Sequence, residues 1–232
     1  MNSSDLDQLK KAAATEAVQC IRTGMVVGLG TGSTAKHMIQ ALGEKVRAGM
    51  SLRGVPTSQE TATLAKQAGI PLLDTENRWE IDIAIDGADQ VDPKFNLIKG
   101  GGGALLKEKI VAASAKQFIV VVDHTKQVPV LGGSFPLPIE VVPFGWGSTA
   151  REIESLTKSR VVLRERNGAP FLTEAGHFIL DVHLDKITQP GDLETALNLI
   201  PGVVETGLFV GRTGVLIVGT PQGVRTVHAP GK

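Results

Sequence analysis

Short apolar segments alternate with stretches of helical periodicity through the first half of the chain. The apolar segments read as buried strands: MVVGLG, SLRGVPTS, IDIAID and FIVVVD. Between them, apolar residues recur at helical spacing, beginning with a helix predicted to open at Ser4. Strands that alternate with helices form a parallel sheet with helices on both faces, and ligands bind beyond the carboxyl ends of its strands. We therefore predict an α/β, Rossmann-like fold.

The order of the predicted strands and helices changes after the segment KQVPVLGGSFPLP. PIEVV, RVVLRE, HFILDVH and GVVETGLFV read as strands, with helices predicted over GSTAREIESL and GDLETALNLI. The order strand, helix, strand, strand, helix, strand is that of a ferredoxin-like α+β domain. VLIVGT is one more apolar strand and is expected to return to the first sheet. We predict a Rossmann-like domain over 1–132 and 210–232, with a smaller ferredoxin-like domain inserted at 133–209.

Composition excludes several classes of partner. The 232 residues carry 24 basic and 24 acidic side chains, so no net charge attracts nucleic acid or a membrane surface. The only cysteine, Cys20, has no partner for an internal disulfide and is expected to be a small buried side chain in a reducing compartment. No signal segment and no apolar run of ~18 residues is present. These features predict a soluble, cytoplasmic protein.

The segment GLGTGSTA joins a predicted strand to a predicted helix. Its glycines allow close approach of the backbone, the helix start offers N–H groups, and three hydroxyls follow, which together suit a phosphate-sized anion. A dinucleotide fingerprint would need glycine where Ser33 stands, and no Walker A lysine follows. A tight turn with an ordinary helix cap is the alternative interpretation.

Aspartates crowd the end of the next predicted strand, in IDIAIDGADQVD. Asp86, Asp89 and Asp92 follow one another at intervals of three residues, with Gly87 permitting a bend. Such carboxylates can orient sugar hydroxyls, exchange protons or bind a hard cation, although the spacing excludes an EF-hand loop. Capping of turns is the alternative.

The segment KGGGGALLKEKI places four glycines between Lys99 and a predicted helix. Backbone N–H groups without side chains can cradle an oxyanion, and the lysine adds a positive charge. In the helix, Glu108 has only apolar residues three and four positions away. A carboxylate among such neighbours tends to have a raised pKa, which suits a general base. An exposed helix glutamate is the alternative.

Four motifs, GLGTGSTA, DGADQVD, KGGGGALLKEKI and VDHTKQV, occur in the order and spacing that resemble the type A ribose-5-phosphate isomerases. The resemblance extends over essentially the whole chain, and a glycine at 103, where alanine is frequent, is a small departure. It implies interconversion of D-ribose 5-phosphate and D-ribulose 5-phosphate through a cis-enediolate, with no metal or organic cofactor.

The resemblance also assigns roles. It implies that Glu108 is the base, that Lys99 and the glycine N–H groups stabilise the enediolate, and that Asp86 and Asp89 hold hydroxyls and assist ring opening. The implied substrate-binding residues are Thr31, Gly32, Ser33, Thr34, Asp86, Gly87, Ala88, Asp89, Lys99, Gly100, Gly101, Gly102 and Lys126. His124 lies beside the expected site. The implied partners are a sugar phosphate and further copies of the chain, as a dimer or tetramer.

Two other classes of function share this architecture. A non-catalytic sugar-phosphate sensor would carry a DNA-binding module in front of the first strand, where this chain has only a helix. A coenzyme A transferase-like enzyme uses a glutamate nucleophile but gains no support from the aspartate motif. The isomerase interpretation therefore has the stronger basis.

Overall fold

The computed structural model describes residues 3–74, 76 and 78–229. The helices are α1 Ser3–Val18, α2 Ser33–Arg47, α3 Gln59–Gln67, α4 Leu105–Ser114, α5 Trp146–Thr157 and α6 Pro190–Asn198, with a 3-10 helix at His124–Lys126. The strands are β1 Val26–Leu29, β2 Arg53–Pro56, β3 Ile81–Asp86, β4 Gln90–Val91, β5 Leu97–Ile98, β6 Ala115–Asp123, β7 Leu137–Val141, β8 Arg160–Leu163, β9 Glu165–Arg166, β10 Ala169–Pro170, β11 Phe178–His183, β12 Val203–Thr206, β13 Leu208–Phe209, β14 Val215–Thr220 and β15 Gly223–His228. None of the helices in these ranges is both long and apolar enough to cross a bilayer.

One compact unit consists of the described residues of 1–88, 107–126 and 212–232. Its six-stranded sheet has the order β15-β14-β6-β3-β1-β2. Neighbouring strands are parallel throughout, except for the antiparallel edge pair β14 and β15. The predicted parallel α/β sheet is confirmed, and VLIVGT returns to it as β14 beside β6.

Helices cover both faces of this sheet. Val27 and Leu29 of β1 lie in one core cluster with Met38 of α2. Gly28, between them, points to the opposite face because side chains alternate along a strand. There α4 approaches so closely that a Cβ on Gly28 would lie 2.5 Å from Cγ1 of Val111. The absence of a side chain at this position allows the helix to lie against the sheet.

The second compact unit consists of residues 89–106 and 127–211. Its antiparallel four-stranded sheet has the order β12-β7-β11-β8. With α5 and α6 this is the ferredoxin-like arrangement, which confirms the predicted second fold class. Ile139 of β7, Ile153 of α5 and Leu197 of α6 are fully buried in its core. The predicted boundary at residue 133 would place 89–106 in the first domain, and it stays a prediction.

Two expectations from the sequence are wrong. The segment GVVETGLFV is not one strand, because it divides at Gly207 into β12 and β13, and β13 pairs with β5 in a separate three-stranded sheet. A Cβ on Gly207 would lie 2.3 Å from the carbonyl oxygen of Lys99, so only glycine fits at this crossing of two chain segments. Cys20 is exposed rather than buried, because it lies in the turn after α1 ends.

Truncation of Leu42 tests the packing of the first unit. This α2 residue is fully buried in the core cluster, so Leu42→Ala is expected to lower the free energy of unfolding by about 2–5 kcal/mol. Urea denaturation measures the change. Gln40→Ala, an exposed position of the same helix, is the matched control and is expected to change stability by less than about 0.5 kcal/mol. Equal effects of the two substitutions would contradict this packing.

Candidate active site

The carboxylate of Asp86 organises the turn between β1 and α2. It lies at the end of β3 and is 4% exposed. Its Oδ1 accepts the N–H of Thr31 at 3.1 Å and the N–H of Gly87 at 2.8 Å. A Cβ on Gly30 would fall 2.2 Å from the same oxygen. The glycine at position 30 therefore makes room for the carboxylate that fixes the turn.

The hydroxyl of Thr31 belongs to a cluster of hydroxyls beneath the turn. Its Oγ1 lies 2.7 Å from Oγ1 of Thr57 and donates to Oγ of Ser58 at 2.9 Å. The cluster reaches the turn itself, since Oγ1 of Thr61 donates to the carbonyl oxygen of Gly30 at 2.8 Å. These bonds hold the backbone of the turn from the side opposite Asp86.

The N-terminal end of α2 faces solvent. Gly32, with φ of 99°, is its N-cap, and Gly32 and Ser33 are exposed whereas Thr34 is buried. The ammonium of Lys10, on α1, donates to Oγ of Ser33 at 3.3 Å. A helix N-terminus with a nearby ammonium group is a favourable site for an anion. Lys10 was absent from the predicted site because 23 residues separate it from Ser33 and no local pattern connects the two.

The end of β6 contributes a second ordered turn to the same sheet edge. Asp123 is 1% exposed and accepts hydrogen bonds from both the backbone N–H and the hydroxyl of Thr125. These bonds stabilise the 3-10 helix His124–Lys126, on which Lys126 is half-buried. In the described structure, Nδ1 of His124 is buried without a hydrogen-bond partner.

Glu108 lies within α4, the helix that follows the glycine run. It is 6% exposed, and the adjacent Lys109 is 4% exposed, whereas Ile110 is 47% exposed. The alternative of an exposed helix glutamate is therefore wrong. A carboxylate is expensive to bury, which favours a function for it other than solubility.

In the second unit, Asp89 contacts the glycine run directly. Its Oδ2 accepts the N–H of Gly101 at 2.8 Å, and its own N–H donates to the carbonyl oxygen of Ile98 at 2.9 Å. A Cβ on Gly101 would lie 2.9 Å from Oδ1 of the same aspartate. Asp89 thus fixes one amide of the run while keeping its carboxylate half-buried.

Lys99 begins the glycine run and is only 3% exposed. Its backbone N–H donates to the carbonyl oxygen of Gly207 at 2.8 Å. Its Nζ lies 5.6 Å from the ring centroid of Phe209, a cation–π contact that offsets part of the cost of burying the charge. The lysine is therefore held by β13 in the second unit.

Asp92, the third aspartate of the motif, caps a turn. Its Oδ1 accepts the N–H groups of Lys94 and Asn96, each at 2.8 Å, and its Oδ2 accepts from the Asn96 side chain at 2.9 Å. At this position the structure shows the turn-capping alternative. Across the residues that the structure describes, no group of three or more His, Cys, Asp or Glu side chains could hold a metal ion.

The predicted site residues differ in how far they are open to solvent. The buried ones are Thr34, Asp86, Lys99, Gly100 and Glu108. The half-buried ones are Thr31, Gly87, Ala88, Asp89 and Lys126. The exposed ones are Gly32, Ser33, Gly101 and Gly102. The charged side chains are thus largely buried, while the backbone of the two glycine-containing turns is exposed.

Comparison with known proteins decides the family. A family model described as ribose 5-phosphate isomerase A (phosphoriboisomerase A) matches residues 53–223. The chain belongs to this family. Among curated members, ribose-5-phosphate isomerase A of Bradyrhizobium diazoefficiens is 48% identical over 97% of this chain and 97% of its own. That of Nitrobacter hamburgensis is 50% identical over 96% of this chain and 98% of its own.

A solved family member gives the same result for the fold. The structure of a D-ribose-5-phosphate isomerase in complex with phospho-erythronic acid superposes with a TM-score of 0.93 and 43% identity. The match covers 98% of this chain and 100% of that one.

The close approach of Gly30 and Asp86 yields a prediction. Gly30→Ala forces a Cβ against the carboxylate and is expected to lower the free energy of unfolding by about 1–3 kcal/mol through overpacking. Urea denaturation measures it. Gly147→Ala is the control, because nothing lies within 4 Å of its Cβ position, and it is expected to be neutral or mildly stabilising. A Gly30→Ala variant as stable as the parent chain would contradict the geometry.

Proposed function

We propose that the chain is an aldose–ketose isomerase that interconverts D-ribose 5-phosphate and D-ribulose 5-phosphate. Family membership over nearly the full length supports this reaction. The observation that carries the catalytic assignment is the burial of Glu108, 6% exposed, on the helix that directly follows the glycine run. The alternative of a non-catalytic sensor is not favoured, since the relatives are named as the enzyme.

Glu108 acts as the base in this proposal. Its carboxylate removes the proton from C2 of the open-chain aldose, and the C–H electron pair forms a double bond between C2 and C1. Negative charge then resides on the oxygen of C1, which gives a cis-enediolate. The same carboxyl group returns the proton to C1, while the C2 hydroxyl proton moves to the C1 oxygen and C2 becomes the ketone. Positioned acid–base catalysis of this kind contributes about 10²–10⁴-fold.

Lys99 and the amides of Gly100 and Gly102 stabilise the enediolate oxygen, whereas the amide of Gly101 donates to Asp89 and orients that carboxylate. Preorganised donors are most effective where water is excluded, and the lysine is 3% exposed. Loss of one such donor typically costs about 10²–10³ in kcat. Of these glycines, Gly102 is exposed and has no side chain that could cover its N–H.

Asp86 and Asp89 hold sugar hydroxyls and assist opening of the furanose ring. Each carboxylate accepts backbone N–H groups, so each has a fixed orientation before substrate binds. Fixed orientation lowers the entropy cost of positioning the sugar. The two aspartates share these tasks.

The phosphate group binds at the start of α2. The exposed turn of Gly32 and Ser33, the buried Thr34 and the nearby ammonium of Lys10 provide the N–H groups, hydroxyls and charge that a phosphate needs. Lys126 supplies a second cation from the end of β6. The related structure that binds phospho-erythronic acid shows that a family member takes a phosphorylated sugar acid.

The remaining features of the proposal follow from the family and the sequence. The reaction uses no metal or organic cofactor. The enzyme acts in the cytoplasm on a small sugar phosphate, as a homodimer or a tetramer, and it binds neither nucleic acid nor membrane.

Replacement of the base tests this mechanism. Glu108→Gln keeps the size of the side chain but removes the basic oxygen, so kcat for ribose 5-phosphate is expected to fall about 10²–10⁴-fold, with KM changed less than about 3-fold. A coupled spectrophotometric assay measures both constants. Glu44→Gln, an exposed glutamate of α2, is the matched control and retains full turnover. Normal turnover by Glu108→Gln would remove the glutamate from the mechanism.

Treatment with a chelator tests the absence of a metal requirement. Incubation with excess EDTA followed by dialysis is expected to leave kcat and KM unchanged, because the proposed chemistry uses only side chains and amides of the chain. The same coupled assay measures the outcome. Inactivation that a divalent ion reverses would instead favour the cation-binding interpretation of Asp86 and Asp89.

A further inference from the structure

Arg164 lies in the second unit, between β8 and β9, and is not part of the predicted site. Its backbone is fixed on both sides, since its N–H donates to the carbonyl oxygen of Ile179 and its own carbonyl oxygen accepts the N–H of Phe171, each at 2.8 Å. The side chain is 14% exposed. A guanidinium group with so little access to water needs partners for its N–H groups.

This guanidinium group donates hydrogen bonds to two kinds of acceptor, a carboxylate and backbone carbonyl oxygens. Nε and Nη2 donate to the two carboxylate oxygens of Asp181 on β11, at 2.8 and 2.5 Å. Nη1 donates to the carbonyl oxygen of Gly100 at 2.8 Å and to that of Gly101 at 3.2 Å. Asp181 thus orients the planar guanidinium group. Nη1, the nitrogen that does not contact Asp181, binds the backbone of the glycine run.

The peptide group between Gly100 and Gly101 is held from both sides. A trans peptide has its carbonyl and its N–H on opposite sides, and the described chain has no cis peptide. Arg164 holds the carbonyl of this peptide, and Asp89 holds its N–H at 2.8 Å. Rotation of the peptide would break both bonds at once.

The next peptide is oriented by the same arginine. Because Nη1 also holds the carbonyl oxygen of Gly101, the N–H of Gly102 points away from Arg164. Successive amides that point to one side can bind an anion, and since the Gly101 N–H already donates to Asp89, the Gly102 N–H is the one available to a ligand. Gly102 is exposed and a Cβ there would meet nothing within 4 Å, so this N–H lies beside open space.

We propose that Arg164, oriented by Asp181, is a positioning residue for the reaction: it fixes the direction of the Gly102 amide, one of the donors that stabilise the enediolate. This inference rests on the proposed function. Arg164 does not touch substrate in this account. Its effect therefore falls on the transition state, where the oxyanion has formed, rather than on binding of the uncharged carbonyl form.

The test measures kcat and KM for ribose 5-phosphate with Arg164→Gln and Arg164→Lys. Arg164→Gln is expected to lower kcat about 10²-fold, the scale of one lost oxyanion donor, with KM changed less than about 3-fold. Arg164→Lys is expected to lose about 10-fold, because a single ammonium group cannot bind Asp181 and two carbonyls in one plane. In both variants the Gly101 amide is expected to exchange with deuterium faster than in the parent chain.

Two controls separate positioning from general loss of structure. Arg160→Gln removes an exposed arginine from β8 and is expected to keep kcat within about 2-fold. Ile153→Val weakens the core of the same unit without touching the glycine run, and it is also expected to keep kcat. Thermal unfolding by circular dichroism gives the folded fraction of every variant at the assay temperature.

Three results would overturn the inference. They are normal kcat in folded Arg164→Gln, a loss carried by KM instead of kcat, and an Ile153→Val variant of equal melting temperature that loses as much kcat as Arg164→Gln. An inactive parent chain would overturn the proposed function together with this inference, whereas an active parent with an active Arg164→Gln variant overturns the positioning role alone.

Discussion

The hydrogen bonds of Asp86 determine the geometry of the first unit's sheet edge. A single carboxylate oxygen joins the N–H of Thr31, in the turn after β1, to the N–H of Gly87, at the end of β3. Parallel pairing of Leu29 with Ile85 brings the two strand ends side by side, and the missing side chain of Gly30 leaves the space for the carboxylate. The start of α2 and the aspartate motif therefore have fixed positions before any ligand binds.

The second unit controls backbone direction in a similar way. Asp89 and Arg164 hold opposite sides of one peptide in the glycine run, and Asp181 holds the arginine. Glycine lets a ligand reach the backbone here because it has no side chain. It is also the residue that loses the most conformational entropy when its backbone is ordered. The charged side chains of Asp89 and Arg164, which lie outside the run, restrict the backbone through their hydrogen bonds. The run leads directly along the chain into α4, which carries Glu108.

Local patterns predicted the regular elements well, because alternation and helical spacing reflect burial within a few residues. IDIAID coincides with β3, and VLIVGT coincides with β14. Non-local contacts were not predictable. The division of GVVETGLFV depends on Lys99, more than a hundred residues earlier, and the roles of Lys10 and Arg164 depend on partners distant in sequence. β15 was missed because its residues are mostly exposed and show no apolar alternation.

The central claim, that one carboxylate carries a proton between adjacent carbons of the sugar, is tested most directly by isomerisation in deuterium oxide. Over repeated reversible turnovers the carboxyl proton exchanges with solvent, so ribulose 5-phosphate is expected to acquire deuterium at only one of the two prochiral positions of C1, as proton NMR would show. This labelling is expected to disappear with Glu108→Gln. Equal labelling of both positions, or labelling at one position that persists in Glu108→Gln, would contradict a single base, Glu108, acting through an enediolate.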